Sequence, residues 1–171
     1  IGYHASHIQI QAAGDLLGKI HALGVQAAEG LTLCKTVAAI AADEIAGDLD
    51  KILGFVRQFF PTEEEAAHTI LQERTQRYFQ QALPRLLAID LPLINGSWDY
   101  KASNLVYTTE RQPVLVDADN GGRIARICDL ATAALLFHND GVGPGRVFTQ
   151  AEWLTFYTGY AQHVQLNAWE K

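Results

Sequence analysis

The change of periodicity at Leu91 constrains the fold of this chain more than any other feature. Before it, apolar residues recur every three or four positions; beyond it come short extended runs, and from Arg126 the helical spacing returns. Helices, then a small group of strands, then helices predict a mostly helical α+β arrangement and argue against alternating βαβ units. Ile10, Leu16, Leu17, Ile20 and Leu23 predict a helix over 8–23, stopped by Gly24. Val37, Ile40, Ile45, Leu49, Ile52, Leu53 and Val56 predict helix within 31–60, weakened at Gly47 and Gly54 and ended by Pro61. Thr62 with Glu65 predicts a capping box for a helix running to about Leu83, its first turn made acidic by Glu63, Glu64 and Glu65. Pro84 predicts a kink or a division before 85–89. Residues 91–95, 104–108 and 113–117 read as extended, the last two joined by a turn over 109–112. Helices over 126–137 and from Thr149 or Gln150 complete the pattern.

Composition narrows the class. With 171 residues, 49% of them hydrophobic and 19% charged, and a mean hydropathy of zero, the chain is expected to be one globular domain. A chain of this size buries roughly 70% of its unfolded surface, so neither disulfides nor a structural metal is required. No apolar run approaches the ~20 residues of a membrane span, and no basic region followed by an apolar run opens the sequence, so neither a membrane partner nor secretion is expected. Cys34 and Cys128, 94 positions apart, fit reduced thiols and a cytoplasmic location. A net charge of −6 with no Lys/Arg cluster argues against a nucleic-acid partner. The absence of methionine and the start at Ile1 lead to the expectation that the sequence is a piece of a longer chain.

The chemistry concentrates in Asn95-Gly-Ser-Trp-Asp99-Tyr-Lys101-Ala-Ser-Asn104 and in Val114-Leu-Val-Asp117-Ala-Asp119-Asn120. A carboxylate, a lysine two residues on and an asparagine five residues on lead into a strand, and a second carboxylate closes the next strand. These are the parts needed to hold a metal–triphosphate beside a hydroxyl. One carboxylate orients the hydroxyl and accepts its proton, while an amide oxygen and a second carboxylate are hard ligands suited to Mg²⁺.

Asp99-x-Lys101-x-x-Asn104 followed by Asp117 resembles the catalytic loop and metal-binding aspartate of the protein-kinase-like fold. Arg126-Ile-Cys-Asp129-Leu-Ala and Leu16-Leu-Gly-Lys-Ile-His21-Ala-Leu resemble the branch that holds aminoglycoside phosphotransferases and choline kinases. Asp99 and Asn104 precede Asp117 by 18 and 13 positions, similar to the family's spacings. The resemblance covers about 15–160 and implies the C-terminal, substrate-binding and catalytic lobe over 1–171, mostly helical with a small β-hairpin carrying the catalytic loop. The N-terminal nucleotide lobe is absent from this sequence, so the lobe alone is expected to be inactive. The resemblance makes Asp99 the catalytic base, Lys101 a γ-phosphate contact, Asn104 and Asp117 the Mg²⁺ ligands, and Asp119 a secondary metal or water ligand. It makes Asp129 a brace of the catalytic loop, although taken alone Asp129 reads equally well as a helix N-cap. Where the family has histidine two residues before the catalytic aspartate, this chain has Ser97, with Trp98 in place of the small residue between.

The implied function is ATP-dependent phosphoryl transfer to a small hydroxyl acceptor such as an aminoglycoside, choline, another amino alcohol or a sugar. Two other readings compete. One is a kinase-like module that binds without catalysis; the other takes Asp117 and Asp119 as the paired aspartates of a haloacid-dehalogenase-like phosphatase, which needs a parallel sheet and a downstream lysine, of which only Lys171 is available. The histidines, His4, His7, His21, His68, His138 and His163, form no ligand set in the sequence and read as packing or surface residues. Trp153, Phe156, Tyr157 and Tyr160 read as core, and Asp43, Glu44, Asp48 and Asp50 as a solvated face.

Overall fold

A computed structural model describes residues 5–23, 42–117, 119–139 and 145–171; His4, Gly24, Cys34 and the predicted helical stretch 31–41 lie outside the described residues. The chain forms two compact units, Ile1–Cys34 with Leu91–Lys171, and Lys35–Asp90. Helix α1 (His7–Ala22) belongs to the first unit, and α2 (Ala42–Phe59), α3 (Glu64–Arg77) and α4 (Leu83–Leu87) to the second. Back in the first unit come strands β1 (Leu93–Gly96), β2 (Leu105–Tyr107), β3 (Pro113–Leu115) and β4 (Gly122–Ala125), then α5 (Arg126–Leu136) and α6 (Gln150–Tyr160). The α+β, mostly helical architecture read from the sequence is present.

In the first unit, α1 and α6 start on capping boxes. Ser6 accepts from Gln9 N–H while the Gln9 side chain accepts from Ser6 N–H, and Thr149 and Glu152 do the same for α6. Two helix starts are thus satisfied by side chains the chain supplies locally. The helices then meet backbone to backbone. A Cβ on Gly14 would overlap the Phe156 carbonyl, one on Gly159 the Gln11 carbonyl, and one on Gly18 would lie 2.6 Å from the Tyr160 carbonyl oxygen. Around this contact Ile10, Ala13, Leu17, Phe156 and Tyr160 are fully enclosed, and Phe137 stacks on Phe148 with ring centroids 4.8 Å apart. Phe156 and Tyr160 are therefore core, as the aromatic stripe predicts.

The strands form two antiparallel pairs, β1 with β4 (Ile94 opposite Ile124) and β2 with β3 (Leu105 opposite Leu115). The hairpin turn predicted over 109–112 is present, closed by Thr108 N–H donating to the Gln112 carbonyl at 2.9 Å. Strand β4 is an addition to the sequence reading. Its alternation puts Gly122 and Ile124 inward and Arg123 outward, but over too short a span to register as a strand without its partner.

In the second unit the predicted capping box is replaced. Pro61 opens a 3₁₀ turn over Pro61–Glu63, so the α-helix begins at Glu64 with no side-chain cap, and the Glu64 carboxylate pairs instead with Arg57 at 2.7 Å. Pro84 enters as the second residue of α4, after a π-helical turn over Tyr78–Ala82, so the missing N–H falls where a helix start needs none. No described residue of α2, α3 or α4 is buried. A groove of about 570 Å³ lies between α2 and α3, lined by Leu49, Leu53, Leu71, Asp50, His68 and Gln76 among others. Asp43, Glu44, Asp48 and Asp50 are exposed, as a solvated face requires.

Candidate active site

The loop between β1 and β2 is held at successive peptide groups. Gly96 ends β1, and Trp98 takes a left-handed conformation with φ 57°, uncommon for a residue with a side chain. Its N–H donates to Asp129 Oδ1 at 2.8 Å, and the next N–H, that of Asp99, donates to Ser97 Oγ at 3.3 Å. Ser97 is buried and serves the loop from within as a hydrogen-bond acceptor. Asp129 is the fourth residue of α5, whose N-cap is Ala125, so the N-cap reading of Asp129 is corrected and its carboxylate braces the loop. Farther along, Tyr100 is fully buried and donates its hydroxyl to the Ala13 carbonyl at 2.7 Å, and Ala102 N–H donates to the Phe137 carbonyl at 2.8 Å. Burial pushes the Tyr100 phenol well above its ordinary pKa, so it stays a donor.

Within this frame three of the residues singled out by sequence come together. Lys101 Nζ lies 2.8 Å from Asp99 Oδ2, and Asn104 Nδ2 donates to the same oxygen at 3.0 Å and to the Asp99 carbonyl at 3.1 Å. Both side-chain donors converge on Oδ2. The Asp99 side chain is 19% exposed and that of Lys101 28%, so the ion pair sits at the rim of the core with access from outside. Asn104, itself buried, turns its amide nitrogen to Asp99 and therefore its oxygen the other way.

Asp117 follows from the hairpin register. Val116 N–H donates to the Asn104 carbonyl at 2.9 Å, extending the β2–β3 ladder by one pair, and Asp117 is the next residue, exposed and with φ 58°. Asp119 lies exposed in the turn beyond it. Among the described residues no three His, Cys, Asp or Glu side chains cluster as a metal cage. Mg²⁺ commonly takes only one or two protein donors and fills its shell with water and phosphate oxygens, and an Asn104 amide oxygen with the Asp117 carboxylate is a donor set of that kind. The phosphatase reading needs Asp117 at the end of a parallel strand, whereas β3 is antiparallel to β2.

Sequence reasoning missed His21. It is enclosed between Tyr160 and Asp129 instead of packing passively, although it stands within the Leu16–Leu23 motif and is a polar residue on the apolar side of α1. His163 pairs with Asp15 at 2.7 Å and His138 lies 3.4 Å from Glu152. No family model matches the chain, and no curated protein matches it at a significant level.

Proposed function

We propose that this chain carries the catalytic lobe of a protein-kinase-like phosphotransferase that moves the γ-phosphoryl group of ATP to the hydroxyl of a small acceptor. The observation that carries the reading is the convergence of Lys101 and Asn104 on one oxygen of Asp99, in a loop whose hairpin sets Asp117 one residue beyond the partner of Asn104. The Asp99 carboxylate accepts a hydrogen bond from the acceptor hydroxyl, orients its lone pair and takes its proton as the bond to phosphorus forms. Asn104 and Lys101 hold the carboxylate in one rotamer, so the hydroxyl meets a fixed partner. Lys101, already cationic beside Asp99, is within reach of a transferring phosphoryl group as a point charge. Mg²⁺, where bound, would be held by Asn104 and Asp117, with Asp119 as a more distant carboxylate, and would supply charge neutralisation of the phosphates. No described helix is long and apolar enough to cross a membrane, and ATP as donor fits a cytoplasmic setting.

The test is phosphoryl transfer from Mg·ATP by the full-length protein to a panel of amino alcohols, aminoglycosides and sugars. Asp99→Asn is expected to lower turnover by about 10³-fold with the fold intact by circular dichroism. Unchanged turnover in that variant, or a wild type inert toward the whole panel, overturns the reading.

A further inference from the structure

Trp98 adjoins Asp99, and its backbone is left-handed. For a bulky side chain that conformation is costly, and glycine or asparagine would occupy it with less strain. The loop enforces it through peptide groups alone: the Trp98 N–H is taken by Asp129 Oδ1 and the Asp99 N–H by Ser97 Oγ. Any residue with an N–H could make the first of these bonds. The loop therefore requires the backbone conformation at this position but not an indole.

The surroundings of the ring show what the indole is free to do. Tyr100, two residues on, is taken completely into the core, and Trp153 stacks on Phe156 and Tyr157. Trp98 instead is 40% exposed. Among the described residues its ring meets no other aromatic ring and its Nε1–H donates to no acceptor. A tryptophan held in a strained conformation and left out of the core keeps a flat apolar surface and one hydrogen-bond donor open to solvent. The Asp99 side chain also reaches solvent. A left-handed residue breaks the alternation by which neighbours in an extended chain point to opposite faces, so a small molecule seated on the Asp99 carboxylate lies within reach of the indole.

We propose that Trp98 is a specificity-determining contact for the acceptor: its indole packs on the saturated ring that bears the reactive hydroxyl, and Nε1–H donates to an oxygen of that ring. The proposal rests on the reading of Asp99 as the carboxylate that takes the hydroxyl. A sugar or an aminocyclitol covers the face of an indole, whereas a short linear amino alcohol covers only part of it, so Trp98 favours ring acceptors.

The test uses the full-length protein with Mg·ATP as donor, glucosamine and kanamycin as ring acceptors, and choline and ethanolamine as linear ones. Trp98→Asn removes the ring with a residue that tolerates the left-handed backbone, and Trp98→Phe keeps a ring without the N–H. In Trp98→Asn, KM for the ring acceptors is expected to rise about tenfold, with KM for ATP unchanged and kcat nearly so. Their advantage over the linear acceptors should shrink by the same factor, and Trp98→Phe should recover most of it. An unchanged KM for ring acceptors, a raised KM for ATP, a fall in kcat alone, or a wild type that phosphorylates only the linear acceptors overturns the proposal. Should Trp98→Asn fail to fold, or the wild type transfer no phosphoryl group, tryptophan fluorescence decides. A saturable change on titrating glucosamine or kanamycin into the wild type that is lost in Trp98→Phe supports the contact; the same change in both, or none in either, overturns it. An inert wild type that shows the Trp98 signal refutes the phosphotransfer reading and leaves the contact standing.

Discussion

In the first unit α1 and α6 touch through glycines and enclose Ile10, Leu17, Phe156 and Tyr160 completely, whereas α2 and α3 of the second unit bury nothing and carry Ile52, Phe55, Phe59 and Ile70 about half exposed. The interactions differ in reach as well. His21 bonds to residues 108 and 139 positions away and Tyr100 to one 87 away. In the second unit, Lys51 pairs with Asp48, Arg57 with Glu64, and Phe55 packs its ring at a tilt on Phe59 at 4.6 Å, all within a few residues along the chain. Every candidate catalytic side chain lies in the unit built from distant pieces. Precise placement of Asp99 calls for a loop fixed from several directions, which short-range helical contacts do not supply.

The contrast can be broken most directly at its tightest point. Phe156→Ala, which empties a fully enclosed site between α1, α6 and Phe137, is expected to lower the stability of the first unit by about 4 kcal/mol. Amide exchange should show protection in α1 and α6 falling toward the level of α2 and α3; equal protection of all four helices in the wild type would dissolve the distinction. A smaller effect of opposite sign is expected in the second unit. Gly47 and Gly54 of α2 face open space, so Gly47→Ala and Gly54→Ala should each raise stability by about 1 kcal/mol, with added protection confined to α2.

The smallest effect sharpens the electrostatic side of the first unit. The Arg146 guanidinium forks onto Glu152, with both oxygens 2.7 Å away, and holds its carboxyl well below the usual range, assisted by Thr149. A carboxyl depressed by folding stabilises above its unfolded pKa and loses that contribution as pH falls through the folded value. Glu152→Gln is therefore expected to cost about 1 kcal/mol near neutral pH, the gap to wild type narrowing as pH falls below about 4.5. A gap that stays constant down to strongly acidic pH would assign the effect to packing.

Long periodic segments were readable from sequence because each carries its own pattern. The residues of α1, α5 and α6 show it, and the turn residues between β2 and β3 do the same for the hairpin. What failed to show was what depends on a distant partner. Strand β4 exists through Ile94 opposite Ile124, and four residues of alternation are no signal alone. The Thr62 capping box failed for a local reason, since Pro61 stabilises a 3₁₀ turn that shifts the helix start past the threonine. At the site, the spacing of Asp99, Lys101 and Asn104 was legible because a short loop brings together residues close in sequence. The roles of Ser97 and His21 were not, because a serine acceptor and a buried histidine look like any other serine or histidine until the fold surrounds them.

The glycine contact between α1 and α6 also bears on how the chain is made. About 130 residues separate the end of α1 from the start of α6, which at ribosomal speeds is on the order of ten seconds of synthesis. For that interval Ile10, Leu17 and the bare backbone at Gly14 and Gly18 have no partner helix to receive them. The second unit, whose ion pairs close within a few residues, can form while α1 waits. Newly made chains should thus be exposed to chaperones and proteases through α1, and a stall before α6 emerges would prolong that exposure.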